Sequence, residues 1–369
     1  MGFIKIKLIF FAMTSWLFMQ DCPPQDTVIV NPSQSTYEFP YLNDWERLEV
    51  MTWNIKEFPI NTNTTNNYVN EIISKALPDI ICIQEIGDLA TYNDLAASIP
   101  AYSFISTNYS GTNLDLGMAV RNDCGEIMDH TTLFPSEGWA FAGRYPLQAD
   151  ISWHCGTAFI NLEVINVHYK AYSEGFSQRL EASEILSDYI NVHQNVNIVV
   201  AGDYNDEIDD PQSSNSLWPL ISNESAYFAT TPIAGNSNQN SYPWGSYAGF
   251  IDHILISSSL FAQNASGSIS TIRLDDYMGA STYQNNISDH RPVLWSIPVD
   301  AVELVTGLVI NEIMQNPAAV SGAAGEWIEI TNISDDDINL NGLIIRDDDG
   351  EEHIISDNLL IVEPDGYLV

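Results

Sequence analysis

Residues 196–206, VNIVVAGDYND, run a Val- and Ile-rich segment straight into a turn loaded with carboxylates and amides. Val196 to Ala201 reads as a buried strand, because β-branched residues favour extended backbone and nothing in the run seeks water. Gly202 is expected to let the chain bend sharply after it. Asp203 and Asn205 then project past the strand on a rigid support, which suits a catalytic group. A strand that merely closes in an Asx turn would look the same. The distinction lies in the other strand ends of the chain, which carry similar cargo.

The first strong strand spans Leu48 to Trp53 and ends on Asn54, in MTWNIKEF. An Asn- and Thr-rich loop, Asn61 to Asn67, precedes a helix expected over Tyr68 to Ala76, where Tyr68, Val69, Ile72, Ile73 and Ala76 form one apolar stripe. Strand Ile80 to Ile83 ends on Gln84 and Glu85. Further strands are expected at Gly117–Arg121, Glu126–His130, Leu147–Ser152 and Thr157–Val167, the last ending on His168. Phe176 to Val192 has the spacing of an amphipathic helix and leads to the opening strand. After a polar loop, strand Phe250–Ile256 carries Asp252 near its start, and Asp289 and His290 precede strand Pro292–Ile297. This order predicts mixed sheets with helices outside, two sheets packed face to face and their polar ends at one edge. The expected domain covers residues 46–298, and a new module begins near Leu308.

Only 12 Lys and Arg stand against 49 Asp and Glu, a formal net charge of -37. Such a surface repels nucleic acid and anionic membrane at long range, so a phosphate would need a metal cation or a local basic patch. Lys5 and Lys7 precede the apolar run Leu8 to Met19. We read residues 1–21 as a signal peptide and 22–45 as a polar linker, with no transmembrane helix in the mature chain. The protein is then expected outside the cell or on its envelope. Cys22 sits where a bacterial lipoprotein carries its lipid, although Met19, Gln20 and Asp21 match that signal poorly. Export permits disulfides. If Glu126–His130 pairs antiparallel with Leu147–Ser152, Cys124 and Cys155 fall at one end of the pair, and a bond between them is expected.

Asn54, Glu85, His168, Asp203, Asn205, Asp252, Asp289 and His290 form a set of acids, amides and histidines with few cations. A hard divalent ion favours such oxygen donors and supplies the missing positive charge, as hydrolysis of a phosphodiester requires. The ordered motifs MTWNIKEF, ICIQEI, INVHYKA, VVAGDYND, GFIDHILIS and ISDHRPV resemble the endonuclease/exonuclease/phosphatase family with its DNase I-like fold. That resemblance implies a four-layered α/β sandwich. It also implies that Glu85 binds the metal, assisted by Asn54, with Mg2+ expected and Mn2+ or Ca2+ as substitutes. His290 would be the general acid/base, oriented by Asp252. Asp203 and Asn205 would position the attacking water and a phosphate oxygen. His168 would contact the phosphate or share the acid/base work, and Asp289 would hold a second ion or tune the first. FAGRYPLQADI resembles the DNase I branch, which makes Arg144 a substrate-backbone contact. Nucleic acid is the expected substrate. A sphingomyelinase-like or small-molecule phosphodiesterase on the same fold, and an inactive binding or adhesion protein, are the alternatives.

Residues from Leu308 onward contain NEIM, GEWIEI and INLNG, which resemble a lamin-tail domain, an immunoglobulin-like all-β module. Alternation in Trp327–Ile330 and Ile338–Ile345 reads as strands on its own. The chain stops at Val369 with part of such a sandwich written, so the module is expected to be incomplete. The resemblance implies a tether to an envelope or polymer.

Overall fold

The computed structural model describes residues 37–299, save 43, 45–46, 110–113 and 156–157. Beyond these it describes 307–314, 327–341, 343–346, 352–355 and 359–369. The expected signal peptide, Cys22 and most of the expected linker lie outside the described residues. The end of that linker is not a free tether: Phe39 is buried, and Lys75 Nζ donates to the Tyr37 carbonyl at 2.6 Å. The chain divides into two units between Ala301 and Val302.

In the larger unit, β1 (Arg47–Phe58), β2 (Ile80–Ile86), β3 (Tyr102–Ser106) and β4 (Asp115–Arg121) belong to one sheet. A second sheet holds β5 (Gly125–Thr132), β6 (Leu147–Cys155), β7 (Ala158–His168), β8 (Ile198–Asp203), β9 (Ala226–Phe228) and β10 (Asp252–Ser257). The chain then returns to the first with β11 (Ser268–Thr271) and β12 (Val293–Pro298). The orders are β11-β12-β1-β2-β4-β3 and β5-β6-β7-β8-β10-β9. β1 and β8 lie inside their sheets, which is why both read as nearly continuous apolar runs.

Alternate residues of each strand serve two cores. Val50, Cys82 and Met118 of the first sheet face Val164, Ala201 and Ile254 of the second. Met51, Trp53 and Ile81 face outward onto α1 (Thr62–Ala76) and α2 (Leu89–Ser98), through Val69, Ile72 and Leu95. Ile165 and Val200 face α3 (Phe176–Val192) through Ala182, Leu186 and Ile190. Helix, sheet, sheet and helix make the four layers. Each fully buried Leu, Ile or Val contributes about 1.5–3 kcal/mol.

Several expectations change. α1 starts six residues before Tyr68, where the polar Asn/Thr run had read as a loop; Thr65 is buried and its hydroxyl accepts the Asn61 amide at 2.9 Å. Gly202 does not bend the chain. It lies within β8, where a Cβ would meet the Val167 carbonyl oxygen at 2.0 Å, so it is there for close approach of β7. β5 and β6 pair as expected, but Cys124 does not bond Cys155. The Cys124 thiol turns inward, donates to Asp79 and stays free, whereas Cys155 is disulfide-bonded. Cys82 is a buried free thiol. Among the described residues no helix is long and apolar enough to cross a membrane.

In the smaller unit, Leu308–Met314 pairs antiparallel with Trp327–Asn332, which pairs with Tyr367–Leu368. Ile338–Asn339 pairs with Ile361–Val362, and Ile344–Arg346 with Glu352–Ile354. This is an all-β module, with the single segment expected over 338–345 broken into two short strands.

Candidate active site

Sheet direction brings the polar strand ends together. β1 and β2 are parallel, so Asn54 and Glu85 emerge side by side. β7 and β8 are parallel, with His168 opposite Asp203. β10 runs antiparallel to β8, so its first residue, Asp252, lies opposite Asp203. β12 runs antiparallel to β1, and the residues just before it, Asp289 and His290, reach the same edge. A buried ladder joins the two sheets beneath: Gln84 Nε2 donates to Asn166 Oδ1 at 2.8 Å, and Asn166 Nδ2 donates to the Ile83 and Gly117 carbonyls.

Asn54 Nδ2 donates to Glu85 Oε1 and to Asp203 Oδ2, each at 3.0 Å, and so clasps one carboxylate from each sheet. Its Oδ1 accepts the Lys56 amide at 2.9 Å. Asn54 thus holds two oxygen donors together. Glu85, Lys56, Glu57 and Asn205 all have left-handed backbone, with φ of 66°, 38°, 42° and 51°. The ladder slips at the same places, between Asn54 and Phe58 and between Ile83 and Ile86. Strain of this kind persists where a side chain must be re-aimed, and bulges collect beside active sites.

His290 Nδ1 and Asp252 Oδ2 lie 2.8 Å apart, while Nε2 is 4.0 Å from both Asp203 Oδ2 and Asp289 Oδ1. Burial opposes charge on this ring, but the Asp252 and Asp203 carboxylates outweigh it and push the pKa up to about 10. His290 is therefore an imidazolium at neutral pH, with its Nε2–H available. Its loop is pinned by Ser288, whose hydroxyl donates to the Asn54 carbonyl, and by the Tyr283 hydroxyl on the His290 carbonyl.

His168 behaves oppositely. Burial, then the Arg144 charge, hold its pKa well below the usual value. Arg144 Nη1 lies 3.2 Å from Nδ1 and 3.1 Å from Nε2, and a guanidinium can only donate. Nε2 also stands 3.6 Å from both Glu85 Oε1 and Asp203 Oδ2. A neutral ring gives Arg144 a lone pair to donate to and leaves one ring N–H. That state suits hydrogen bonding rather than proton transfer. Arg144 also donates to the Tyr169 carbonyl at 2.8 Å, and its buried Nε has no protein partner.

Asp203 Oδ1 accepts the Asn205 amide at 2.9 Å, and Asn205 Nδ2 donates to the Tyr169 carbonyl at 3.2 Å. Burial and the neighbouring Asp252 push the Asp203 pKa up to about 7. Asp289 is taken by Lys56, whose Nζ lies 2.6 Å from its Oδ2. All nine residues singled out in the sequence meet at this edge. The sequence reading missed Lys56, Ser288, Tyr283 and Tyr242, whose ring lies 5.3 Å from that of His290. Lys56 and Ser288 sat within the quoted motifs; Tyr242 and Tyr283 lay in stretches with no pattern to flag them.

Two overlapping groups have ligand atoms within 4.8 Å of one another: Glu85, His168 and Asp203, and Asp203, Asp252 and His290. Asp252 Oδ1 is buried without a protein partner. Crowded carboxylates and an orphaned oxygen fit a hard divalent cation.

Such a sandwich, with acids and histidines converging on one edge, defines a metal-dependent phosphoesterase, a hydrolase. The model of the Endonuclease/Exonuclease/phosphatase family matches residues 51–290, and the chain belongs to that family. The Lamin Tail Domain model matches residues 303–369. Solved structures agree on the fold. A humanized D. rerio TDP2 superposes with a TM-score of 0.54 at 15% identity, over 68% of this chain and 99% of the other. D. rerio TDP2 complexed with single strand DNA product gives 0.53 at 15% identity, over 68% and 98%. An endonuclease/exonuclease/phosphatase family protein from Bacteroides thetaiotaomicron gives 0.50 at 16% identity, over 69% and 98%. No curated protein matches the chain.

Proposed function

We propose that this protein is an exported, divalent-metal-dependent nuclease that hydrolyses phosphodiester bonds of extracellular DNA or RNA, with the lamin-tail module as a tether to the envelope or to a polymer. The observation that carries this reading is the division of labour between the two histidines. His290 Nδ1 lies 2.8 Å from Asp252 Oδ2, with Nε2 turned toward Asp203, whereas His168 stands 3.1–3.2 Å from Arg144 Nη1.

Glu85 and Asp203, clasped by Asn54, are the residues that would hold the cation, for which we favour Mg2+. The ion would supply positive charge to the phosphoryl oxygens and lower the pKa of a bound water. Asp203 accepts the proton of the attacking water as that oxygen bonds to phosphorus. His290 gives its Nε2 proton to the leaving oxygen as the old P–O bond breaks. His168, Arg144 and Asn205 present N–H groups to the phosphoryl oxygens and stabilise their charge. Asp252 keeps His290 oriented, and Asp289 holds Lys56 at the rim.

A phosphodiester of nucleic acid fits because the site offers local donors within a chain whose net charge of -37 repels polyanions elsewhere. In D. rerio TDP2 a single-stranded DNA product occupies a protein of the same fold. Export rests on the Lys5 to Met19 pattern. The test is plasmid cleavage by the purified mature chain with Mg2+ and with chelator, beside sphingomyelin hydrolysis. Metal-dependent DNA cleavage is expected; lipid turnover without DNA cleavage would move the protein to the phosphodiesterase alternative.

A further inference from the structure

His290 is hydrogen-bonded at three points, and none of them fixes the tilt of its ring. Nδ1 lies 2.8 Å from Asp252 Oδ2, the main-chain amide donates to Ser288 Oγ at 2.9 Å, and the Tyr283 hydroxyl donates to the carbonyl. One hydrogen bond at a corner leaves an imidazole able to rock about it, and Nε2, across the ring, swings with that motion. Tyr242 supplies a contact against the ring itself. The two ring centroids lie 5.3 Å apart with the planes at 64°, within the edge-to-face arrangements that aromatic pairs prefer.

The mount of the Tyr242 ring is tied to the same pair of residues. Ser241 is fully buried; its hydroxyl accepts the Ile251 and Asp252 amides, each at 3.0 Å, and its carbonyl accepts the Arg291 amide at 2.7 Å. The Tyr242 amide and carbonyl are both bonded to Gly249, at 3.0 and 2.8 Å. Trp244 Nε1 donates to the Asp289 carbonyl at 2.6 Å. Residues 241, 242 and 244 thus touch Arg291, His290 and Asp289 in turn. The strand that supplies Asp252 and the loop that supplies His290 come from different parts of the chain, and Ser241–Trp244 is fastened to both.

We propose that Tyr242, on the mount formed by Ser241 and Trp244, is a positioning residue that holds the His290 ring at the tilt its proton transfer requires. This rests on the nuclease reading above, in which His290 serves the leaving oxygen. As the old P–O bond breaks, its electron pair passes to that oxygen, which takes the Nε2 proton. Tyr242 exchanges nothing and acts only through the imidazole. Misplacing a reacting group by about 1 Å can cost about 100-fold in rate, so the influence of the ring falls on turnover and not on substrate binding. A tyrosine that merely filled space would not distinguish substrates by their leaving group.

The experiment measures kcat and KM of the full chain with Mg2+ on a short oligothymidylate and on the para-nitrophenyl ester of thymidylate. The sugar oxygen that leaves the first needs a proton, whereas para-nitrophenolate leaves without one. Tyr242→Ala should lower kcat on the oligonucleotide about 10- to 100-fold, with KM little changed, and leave the aryl ester near wild type. His290→Ala should show the same dependence on leaving group more strongly. Tyr242→Phe should match the wild type on both substrates, because the contact is between rings. Trp244→Phe takes the indole N–H from the Asp289 carbonyl but keeps an aromatic ring, and should show the Tyr242→Ala pattern in weaker form. Equal losses on both substrates in Tyr242→Ala of wild-type circular dichroism, or a raised KM at unchanged kcat, would overturn the assignment. So would a defect that persists in Tyr242→Phe. If Tyr242→Ala does not fold, Trp244→Phe decides, and wild-type kinetics in it would overturn the assignment. Each of these results leaves the nuclease reading standing. A wild type that spares the oligonucleotide would overturn that reading, and the role of Tyr242 within it.

Discussion

At the amino-terminal ends of β1 and β2, Glu49 and Asp79 sit beside Arg121; at the carboxy-terminal ends of the same strands, Asn54 and Glu85 sit beside Asp203. Both clusters are buried between sheets, and they are finished differently. Asp79 is saturated: Arg121 Nη2 lies 2.8 Å away, and the Cys124 thiol, the Glu49 amide and Trp153 Nε1 donate to it at 3.2, 2.9 and 3.0 Å. Arg121 spends its remaining donors on the Leu77 carbonyl and Asp123, each at 2.7 Å. At the other end Asp252 Oδ1 and Arg144 Nε have no protein partner. The Asp79 carboxylate is closed on all sides and only Glu49 Oε2 in its surroundings lacks a partner, whereas the other end leaves both an acceptor and a donor for what is to come.

The largest effect should come from the open end. His290→Ala removes the imidazolium and is expected to lower kcat by about 10²–10⁴, with circular dichroism unchanged. Near-wild-type turnover would remove the assigned mechanism and, with it, the functional side of the contrast.

The closed end should respond in stability instead. Arg121→Met leaves Asp79 buried with no cation, and such losses cost about 3–5 kcal/mol. Urea unfolding of the larger unit should register this, while kcat per folded molecule stays close to wild type. A matching loss of turnover in the folded variant would mean that the two ends are not independent.

A subtler signature lies in Glu49, whose Oε2 is buried without a partner. Burial and the Asp79 charge push its pKa up to about 9. With Arg121 and three further donors on Asp79, the charge resides there and the proton on Glu49. The folded pKa exceeds the unfolded value, so this stabilisation is complete below about pH 4.5 and is lost as pH rises through about 9. Comparing wild type with Glu49→Gln isolates the slope. The wild type should lose a few kcal/mol relative to the variant across that window, and parallel pH profiles would refute the protonated Glu49.

The contrast also explains what the sequence made legible. Buried central strands announce themselves through runs such as VNIVV, and a polar residue closing such a run is visible wherever it occurs. That is how Asn54, Glu85, His168 and Asp203 were found. The direction of the strands, which puts these ends on one edge, comes from pairing between distant segments, and the family resemblance supplied it. Local polarity misled at Thr62–Asn67, where tertiary packing of Thr65 and Val69 overrides weak helix propensity. α2 and β3 were missed altogether. Their strongest local sign is Asp88, which caps α2 by accepting the Ala90 amide at 3.0 Å. The Cys124 pairing failed because its partner was judged from strand register alone. Nothing in the register reveals that Arg121 and Asp79 draw the thiol inward.

The smallest expected effect tests the open end without reference to turnover. Asp203 has a folded pKa of about 7, raised by burial and by Asp252. Its contribution is therefore fully present below the unfolded value of 3.8 and is lost as pH rises through about 7. Asp203→Asn removes that charge while keeping the shape. Part of the gain is offset, because Asn54 Nδ2 now meets an amide that must present its oxygen to it and give up the Asn205 contact. The net expectation in chelator at about pH 8 is a gain of about 1–2 kcal/mol, shrinking as the pH falls to about 5 and the wild-type carboxyl takes up its proton. Mg2+ should reverse the order, since an ion that binds only the folded state stabilises the wild type in proportion to its affinity. If Asp203→Asn is the less stable protein in chelator, these carboxylates are as well satisfied as Asp79, and the site is not waiting for a cation. If it is more stable and Mg2+ restores the wild type's advantage, the repulsion among these carboxylates is what the metal relieves.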